Sequence, residues 1–127
     1  MDVMDWPEDT WPEGSSHNPN IRKQVGIRHG LIPGVCQWAR VRVPGGEVAG
    51  GHEHGDMEEV FWVAGGAGWL TVGGTCLELM PGRVVRVEPG EWHELRAAGD
   101  GLEVWVLGVQ RQGSVPVRAD PDDRGGP

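Results

Sequence analysis

Apolar residues in this chain of 127 residues come in short segments cut by glycine and proline, and no segment has the spacing of an amphipathic helix. The segment "VCQWARVRV" (35–43) alternates between two faces. Five further segments follow it: "EVFWVA" (59–64), "GWLTVGG" (68–74), "TCLELM" (75–80), "RVVRVE" (83–88) and "LEVWVLGVQ" (102–110). The pattern predicts an all-β fold, a sandwich or small barrel of about eight or more strands.

Glycine positions between these segments predict turns. "VGGT" (72–75) is typical of a tight hairpin. "MPGR" (80–83) and "EPGE" (88–91) combine proline with a glycine that can adopt a positive φ.

The alternation also predicts which way side chains point. In 35–43, Gln37 shares a face with valines, which predicts that it points inward. Arg40 and Arg42 then point outward, as surface or interface arginines or as a clamp for a carboxylate. In the last segment Glu103, Trp105 and Leu107 share a face.

Composition separates the ends from the middle of the chain. Residues 1–20 repeat Trp-Pro-Glu and are acidic and proline-rich, which predicts an arm packed on the body or on a second subunit. Residues 21–112 carry the strands and are expected to form one barrel domain. Residues 113–127 have no apolar anchor and are expected to be disordered.

The net charge and the lack of an evident targeting signal limit the expected classes of binding partner and the expected compartment. The net charge of −8 disfavours nucleic acid and anionic membranes. No signal peptide or long apolar run is evident, so we expect a cytoplasmic protein. Cys36 and Cys76 lack metal-type spacing and are expected to be small buried residues.

Histidines supply the candidate chemistry. His52 and His54 are two residues apart, so in an extended chain both imidazoles point to one side. Glu58 or Glu59 follows after a turn, and a strand and glycine turn deliver His93. Three imidazoles and one carboxylate suit a divalent transition metal, while a polar surface turn is the alternative. His17, in the arm, and His29, in a loop, are expected to be structural or solvated.

These segments resemble the two motifs of the cupin superfamily. The first motif is G-x5-H-x-H-x3,4-E-x6-G, and Gly46, His52, His54, Glu59 and Gly66 match it. An alignment through Glu58 and Gly65 also fits. Glu59 is preferred because the residues after it then match the family's strand, glycine turn and returning strand.

The second motif, G-x5-P-x-G-x2-H-x3-N, maps onto Gly82, Gly90 and His93. Two positions depart from it, with Glu88 in place of proline and Ala97 in place of asparagine. Neither position is a metal ligand in the family. The chain is therefore similar to small single-domain cupins of the conserved-barrel type.

The resemblance implies a jelly-roll β-barrel with a metal inside it, held by His52, His54, Glu59 and His93. Fe(II) is the first expectation for the ion, with Mn, Ni, Cu or Zn as alternatives. Four protein ligands on an octahedral ion leave two positions for substrate or O2.

The first functional expectation is an enzyme with dioxygenase-type chemistry on a small organic molecule inside the barrel. A metal-dependent isomerase, epimerase or lyase is the alternative, as is a barrel that binds a small molecule without catalysis. Glu59 and Gln37 are candidate catalytic residues, and Trp105 or Trp62 is a candidate wall for an aromatic or apolar substrate, although core or interface is the alternative for both tryptophans. Small cupins commonly pair through the outer sheet, and outward Trp38 suggests a homodimer.

Overall fold

The computed structural model describes residues 1–3, 5, 11–15, 18–52 and 55–111, with only the backbone for residue 52. These residues form eight strands: β1 (Glu13–Gly14), β2 (Arg22–Ile27), β3 (Val35–Val43), β4 (Val48–His52), β5 (Met57–Val72), β6 (Thr75–Leu79), β7 (Val84–Val87) and β8 (His93–Gln110). The described part of the chain contains no helix, so the all-β prediction is confirmed. It accordingly includes no apolar helix of membrane-spanning length.

Two long strands, β5 and β8, join the two layers of the fold. The first half of β5 pairs with β7 and with the second half of β8, which also pairs with β3. The second half of β5 pairs with β6 and with the first half of β8, which also pairs with β4. All of these pairings are antiparallel and link the strands into one eight-stranded sheet, which folds over so that its two halves enclose a shared interior.

A corner at Gly66 turns β5 from one layer to the other. Its φ is +77°, and a Cβ built there would overlap the carbonyl oxygen of Gly101 on β8. The register of the two strands shifts on both sides of this corner. Glycine is therefore required here for its backbone conformation and for the close approach of the two strands.

The core lies between the layers and is built by alternation. Along β5, Phe61, Val63 and Leu70 are fully buried, whereas Trp62 and Trp69 point outward. Side chains from both halves of β8, from β3 and from the shorter strands complete one cluster: Val41, Val43, Ala49, Leu79, Val87, Leu95, Ala97, Leu102, Val104 and Val106.

The N-terminal arm contacts the body of the protein. β1 pairs with the start of β2, and the ring of Trp11 lies 4.2 Å from the guanidinium of Arg42 and 4.9 Å from that of Arg40. The backbone oxygen of Trp11 accepts two hydrogen bonds from Arg22. Residues 112–127 lie outside the described part, so the predicted disorder of the tail stays a prediction.

Several local predictions are confirmed and two are corrected. The hairpin at 72–75 is present, and Gly82 and Gly90 have φ values of +91° and +83°. The segments 59–64 and 68–74 are one continuous strand, because β5 bends at Gly66 without losing its pairing with β8. Cys36 is buried as expected, but Cys76 is exposed, because it lies near the hairpin tip.

Candidate metal centre

Two adjacent glutamates on β5 point to opposite sides of the sheet. Glu59 faces the interior and is 1% exposed. Glu58 faces outward, where its carboxylate accepts a hydrogen bond of 2.6 Å from Arg86 on β7. Of the two motif glycines that would follow them, Gly66 has a positive φ and Gly65 does not. The structure therefore favours the alignment through Glu59 and Gly66.

His93 begins β8 and meets Glu59 in the interior. Its Nε2 lies 2.9 Å from Oε1 of Glu59, and its Nδ1 lies 3.0 Å from the backbone oxygen of Glu91, to which it donates. The ring of Phe61 stands edge-on to the imidazole, with ring centres 5.9 Å apart. In metal-binding histidines, one ring nitrogen commonly donates to a carbonyl, and this contact orients the ring so that the other nitrogen faces the metal.

The electrostatics of the pair follow from its burial. Burial is the largest single influence and lowers the pKa of His93, but the hydrogen bond and charge of Glu59, assisted by Glu91, together outweigh it. The pKa of His93 is therefore raised above its ordinary value. A hydrogen bond between Nε2 of His93 and Oε1 of Glu59 requires a proton between these two atoms.

His52 ends β4 directly opposite His93 in the register of β4 and β8. A register shift between Ala49 and His52 takes up the two glycines before it. The side chain of His52 and the whole of His54 lie outside the described residues. The backbone thus brings His52 to the strand position beside His93, and the position of His54 stays a prediction.

The two donors that are described fit a metal ion. Two ligand atoms at right angles on one transition-metal ion, each at about 2.1 Å, lie about 3 Å apart, and Nε2 of His93 and Oε1 of Glu59 are 2.9 Å apart. Within the described ranges, no group of three or more His, Cys, Asp or Glu side chains is placed to hold a metal. A complete set therefore needs the imidazoles of His52 and His54.

Gln37 points into the same interior from β3, as predicted, and is 6% exposed. Gln37 and Glu59 both pair with Gly108, from either side of β8. Two strand spacings separate them, about 10 Å at the backbone. A bulge between Val35 and Gln37 also buries Cys36, and burial raises the pKa of that thiol, with the charges of Asp56 and Glu59 adding to the effect.

Trp105 lies on the opposite face of the sheet from Glu59. Its neighbours Val104 and Val106 are in the core, whereas Trp105 stacks on Trp38 with ring centres 4.7 Å apart. Its partner across β5 is Trp62. The structure does not bring Trp105 or Trp62 to the candidate metal centre, because odd positions of β8 in this stretch face outward. Neither tryptophan can contact a substrate beside Glu59.

The other charged and histidine residues that the sequence singled out lie away from the interior site. Arg40 and Arg42 point outward and both pair with Glu103. Glu88 is an exposed turn residue whose carboxylate pairs with Arg86. His29 is exposed, and His17 lies outside the described residues. None of these described side chains is part of the interior site.

One contact beside the site was not predicted from the sequence. The indole of Trp92 lies on the backbone of Gly51, next to His52. The signal available was the glycine pair before His52, since a position that excludes a Cβ often marks close packing.

Comparisons with known proteins agree with this fold. Residues 39–109 match the model of the Cupin domain family. The comparison with curated proteins gave no match. Among solved structures, the chain is similar to a Cupin 2 conserved barrel domain protein from Salinispora arenicola, with 17% identity over 87% of this chain and 89% of that one and a TM-score of 0.68.

Two further structures are similar at the level of the fold. KdgF from Halomonas sp. shares 21% identity over 82% of this chain and 91% of its own, with a TM-score of 0.66. A protein from Thermotoga maritima described as a predicted oxalate decarboxylase shares 20% identity over 71% of this chain and 80% of its own, with a TM-score of 0.67. Because the family match covers more than half of the chain, the protein belongs to the cupin family and folds as a cupin β-barrel.

Proposed function

We propose that this protein is a metal-dependent enzyme that acts on a small organic substrate inside the barrel. His52, His54, Glu59 and His93 would hold one divalent transition metal, with Fe(II) as the first choice. The reaction we favour is oxidative, of the dioxygenase type.

The observation that carries the proposal is the buried pair of Glu59 and His93. Both side chains are nearly inaccessible, at 1% and 3% exposure, beside a core of apolar side chains. Burying two ionisable groups costs free energy, and an apolar pair of similar size would often stabilise a fold at least as well. A pair placed where two family motifs converge is better explained by a ligand role than by stability.

A bound metal would supply a Lewis acid with open positions for substrate and O2. The chain's own residues supply the rest. His93 is held in one orientation by the carbonyl of Glu91, and Phe61 packs edge-on beside its ring. The amide of Gln37 faces the same interior and can donate to or accept from a polar group of the substrate.

Decarboxylation or another lyase reaction on a small carboxylic acid is the second candidate. The likeness to the Thermotoga maritima protein described as a predicted oxalate decarboxylase favours it. The two candidates differ in a measurable way, because dioxygenation incorporates both atoms of O2, whereas loss of CO2 need not consume O2 stoichiometrically.

The test is metal analysis of the purified protein, followed by O2 consumption and CO2 release with panels of small acids, diols and aromatic substrates. We expect one ion per chain and turnover that requires it. His93→Ala should lose the metal, whereas His29→Ala, at an exposed histidine, should keep it. A His93→Ala protein with full metal content would refute the proposed site, and tight metal without turnover on any panel would favour a binding role.

A further inference from the structure

The strand that carries His52 has an irregular register with its neighbour. β4 pairs with β8, and its register with that strand shifts between Ala49 and His52. Two glycines occupy the shift, and glycine leaves the backbone more freedom than any other residue. A side chain packed on these glycines can therefore assist strand pairing in setting His52 opposite His93.

The indole of Trp92 occupies the position that would do so. A Cβ built on Gly51 would overlap the ring of Trp92 at Cζ2 and Cε2, whereas a Cβ built on Gly50 would meet nothing within 4 Å. The flat ring therefore rests on the bare backbone of Gly51. Any side chain at residue 51 would push the ring and the strand apart.

The backbone of Trp92 is held by the neighbouring hairpin. Its backbone oxygen accepts a hydrogen bond of 2.8 Å from the nitrogen of Gly73 in the β5–β6 hairpin. The residue before it, Glu91, accepts from His93, and the residue after it is His93 itself. Trp92 thus connects the backbone that carries one predicted ligand to the backbone that precedes another.

We propose that Trp92 is a positioning residue that presses on Gly51 and sets His52 in register with His93 for metal binding. The inference rests on the proposed metal site and deepens it. Trp92 has no direct contact with the ion in this account, and its effect passes through the backbone of Gly51.

The experiment measures metal dissociation constants by competition with a chromophoric chelator, together with the visible absorption spectrum of the Co(II)-loaded protein. Trp92→Ala should weaken binding about 10- to 100-fold, the range for residues that orient ligands, and change the Co(II) spectrum. Trp92→Phe, which keeps a flat ring, should restore affinity to within about threefold of the wild type. Trp69→Ala is the matched control, because Trp69 and Trp92 are both 40% exposed and Trp69 lies on β5.

Glycine variants test the same contact from the other side. Gly51→Ala should weaken metal binding, and Gly50→Ala should not. In the double variant Gly51→Ala/Trp92→Ala the effects should not add, because both changes remove one contact. If Trp92→Ala misfolds, the two glycine variants and Trp92→Phe still decide the question.

The outcomes separate this inference from the proposed function. If the Trp92→Ala and Gly51→Ala variants both bind the metal with wild-type affinity, the positioning role is overturned and the proposed metal site is unaffected. Equal losses from Trp92→Ala and Trp69→Ala would also overturn it, since that result indicates general destabilisation. A wild-type protein that binds no metal would overturn both.

Discussion

The two faces of the sheet formed by β3, β8 and the first half of β5 carry different chemistry on alternating residues. The inner face brings Glu59 and Gln37 to either side of Gly108. The outer face carries a patch of Trp38, Val60, Trp62, Trp105 and Leu107. One residue along a strand therefore separates a buried carboxylate from an exposed aromatic surface, so register alone decides which residues can take part in chemistry.

The largest contrast in stability is expected between Phe61 and Trp62. Phe61→Ala should lower the free energy of unfolding by about 3–5 kcal/mol, because it opens a cavity in the core. Trp62→Ala should cost about 1 kcal/mol or less, because the side chain is 44% exposed. Denaturation in guanidinium chloride measures both. Equal losses would contradict the assignment of faces.

The contrast in metal binding is expected between Glu59 and Glu58. Glu59→Gln should weaken metal affinity by more than about 100-fold, since loss of a ligand exceeds the effect of a residue that only orients one. Glu58→Gln removes only an exposed pairing with Arg86 and should change affinity less than about threefold. Competition with a chelator measures the metal affinities of the two variants. A greater loss of affinity from Glu58→Gln than from Glu59→Gln would show that the proposed ligand lies on the wrong face.

The inner site should also respond to pH. The carboxylate of Glu59 raises the pKa of His93 above its ordinary value despite burial, so the proton of His93 competes with a metal. Metal affinity should therefore rise with pH by up to about tenfold per unit until pH passes that raised pKa. In the metal-free protein the sign is reversed, because the stability contributed by protonated His93 is present in acid and is lost as pH rises through its pKa.

Affinities measured from pH 5 to 8 test this, with Glu58→Gln as the control. The control should have the profile of the wild type, because its substitution lies on the other face. A metal affinity that does not change between pH 5 and 7 would contradict the role of His93.

The smallest expected effect concerns association through the outer face. If two copies pair there, Trp38→Ser/Trp62→Ser should weaken the dimer about tenfold or more, as loss of aromatic anchors does at interfaces. Metal affinity should not change. Sedimentation equilibrium measures the dissociation constant of the dimer. A wild-type protein that is monomeric at micromolar concentration would contradict the dimer prediction.

The inner and outer faces could largely be predicted from the sequence. Alternation in 35–43 correctly placed Gln37 inward and Trp38 outward. Glycine spacing favoured Glu59 over Glu58, and Glu59 is the buried one of the two, while its role as a metal ligand stays a prediction. The assignment of side chains to faces succeeded because strand periodicity and turn chemistry are local properties of the chain.

Other features depend on contacts between distant residues. The bulge that buries Cys36 beside Gln37 breaks the alternation, and it is set by pairing with Gly108. The packing of Trp92 on Gly51 joins residues far apart in the sequence. Placing Trp105 required knowing which face of β8 points into the interior, and alternation within 102–110 alone does not decide that.

The most direct test of the account is an anomalous-difference map from crystals of the metal-loaded protein, recorded at the absorption edge of the bound ion. We expect a single peak inside the barrel, about 2.0–2.2 Å from a carboxylate oxygen of Glu59 and from Nε2 of His93, with the imidazoles of His52 and His54 completing the set. A map without a peak there, or with a peak beside Glu58 on the outer face, would contradict it.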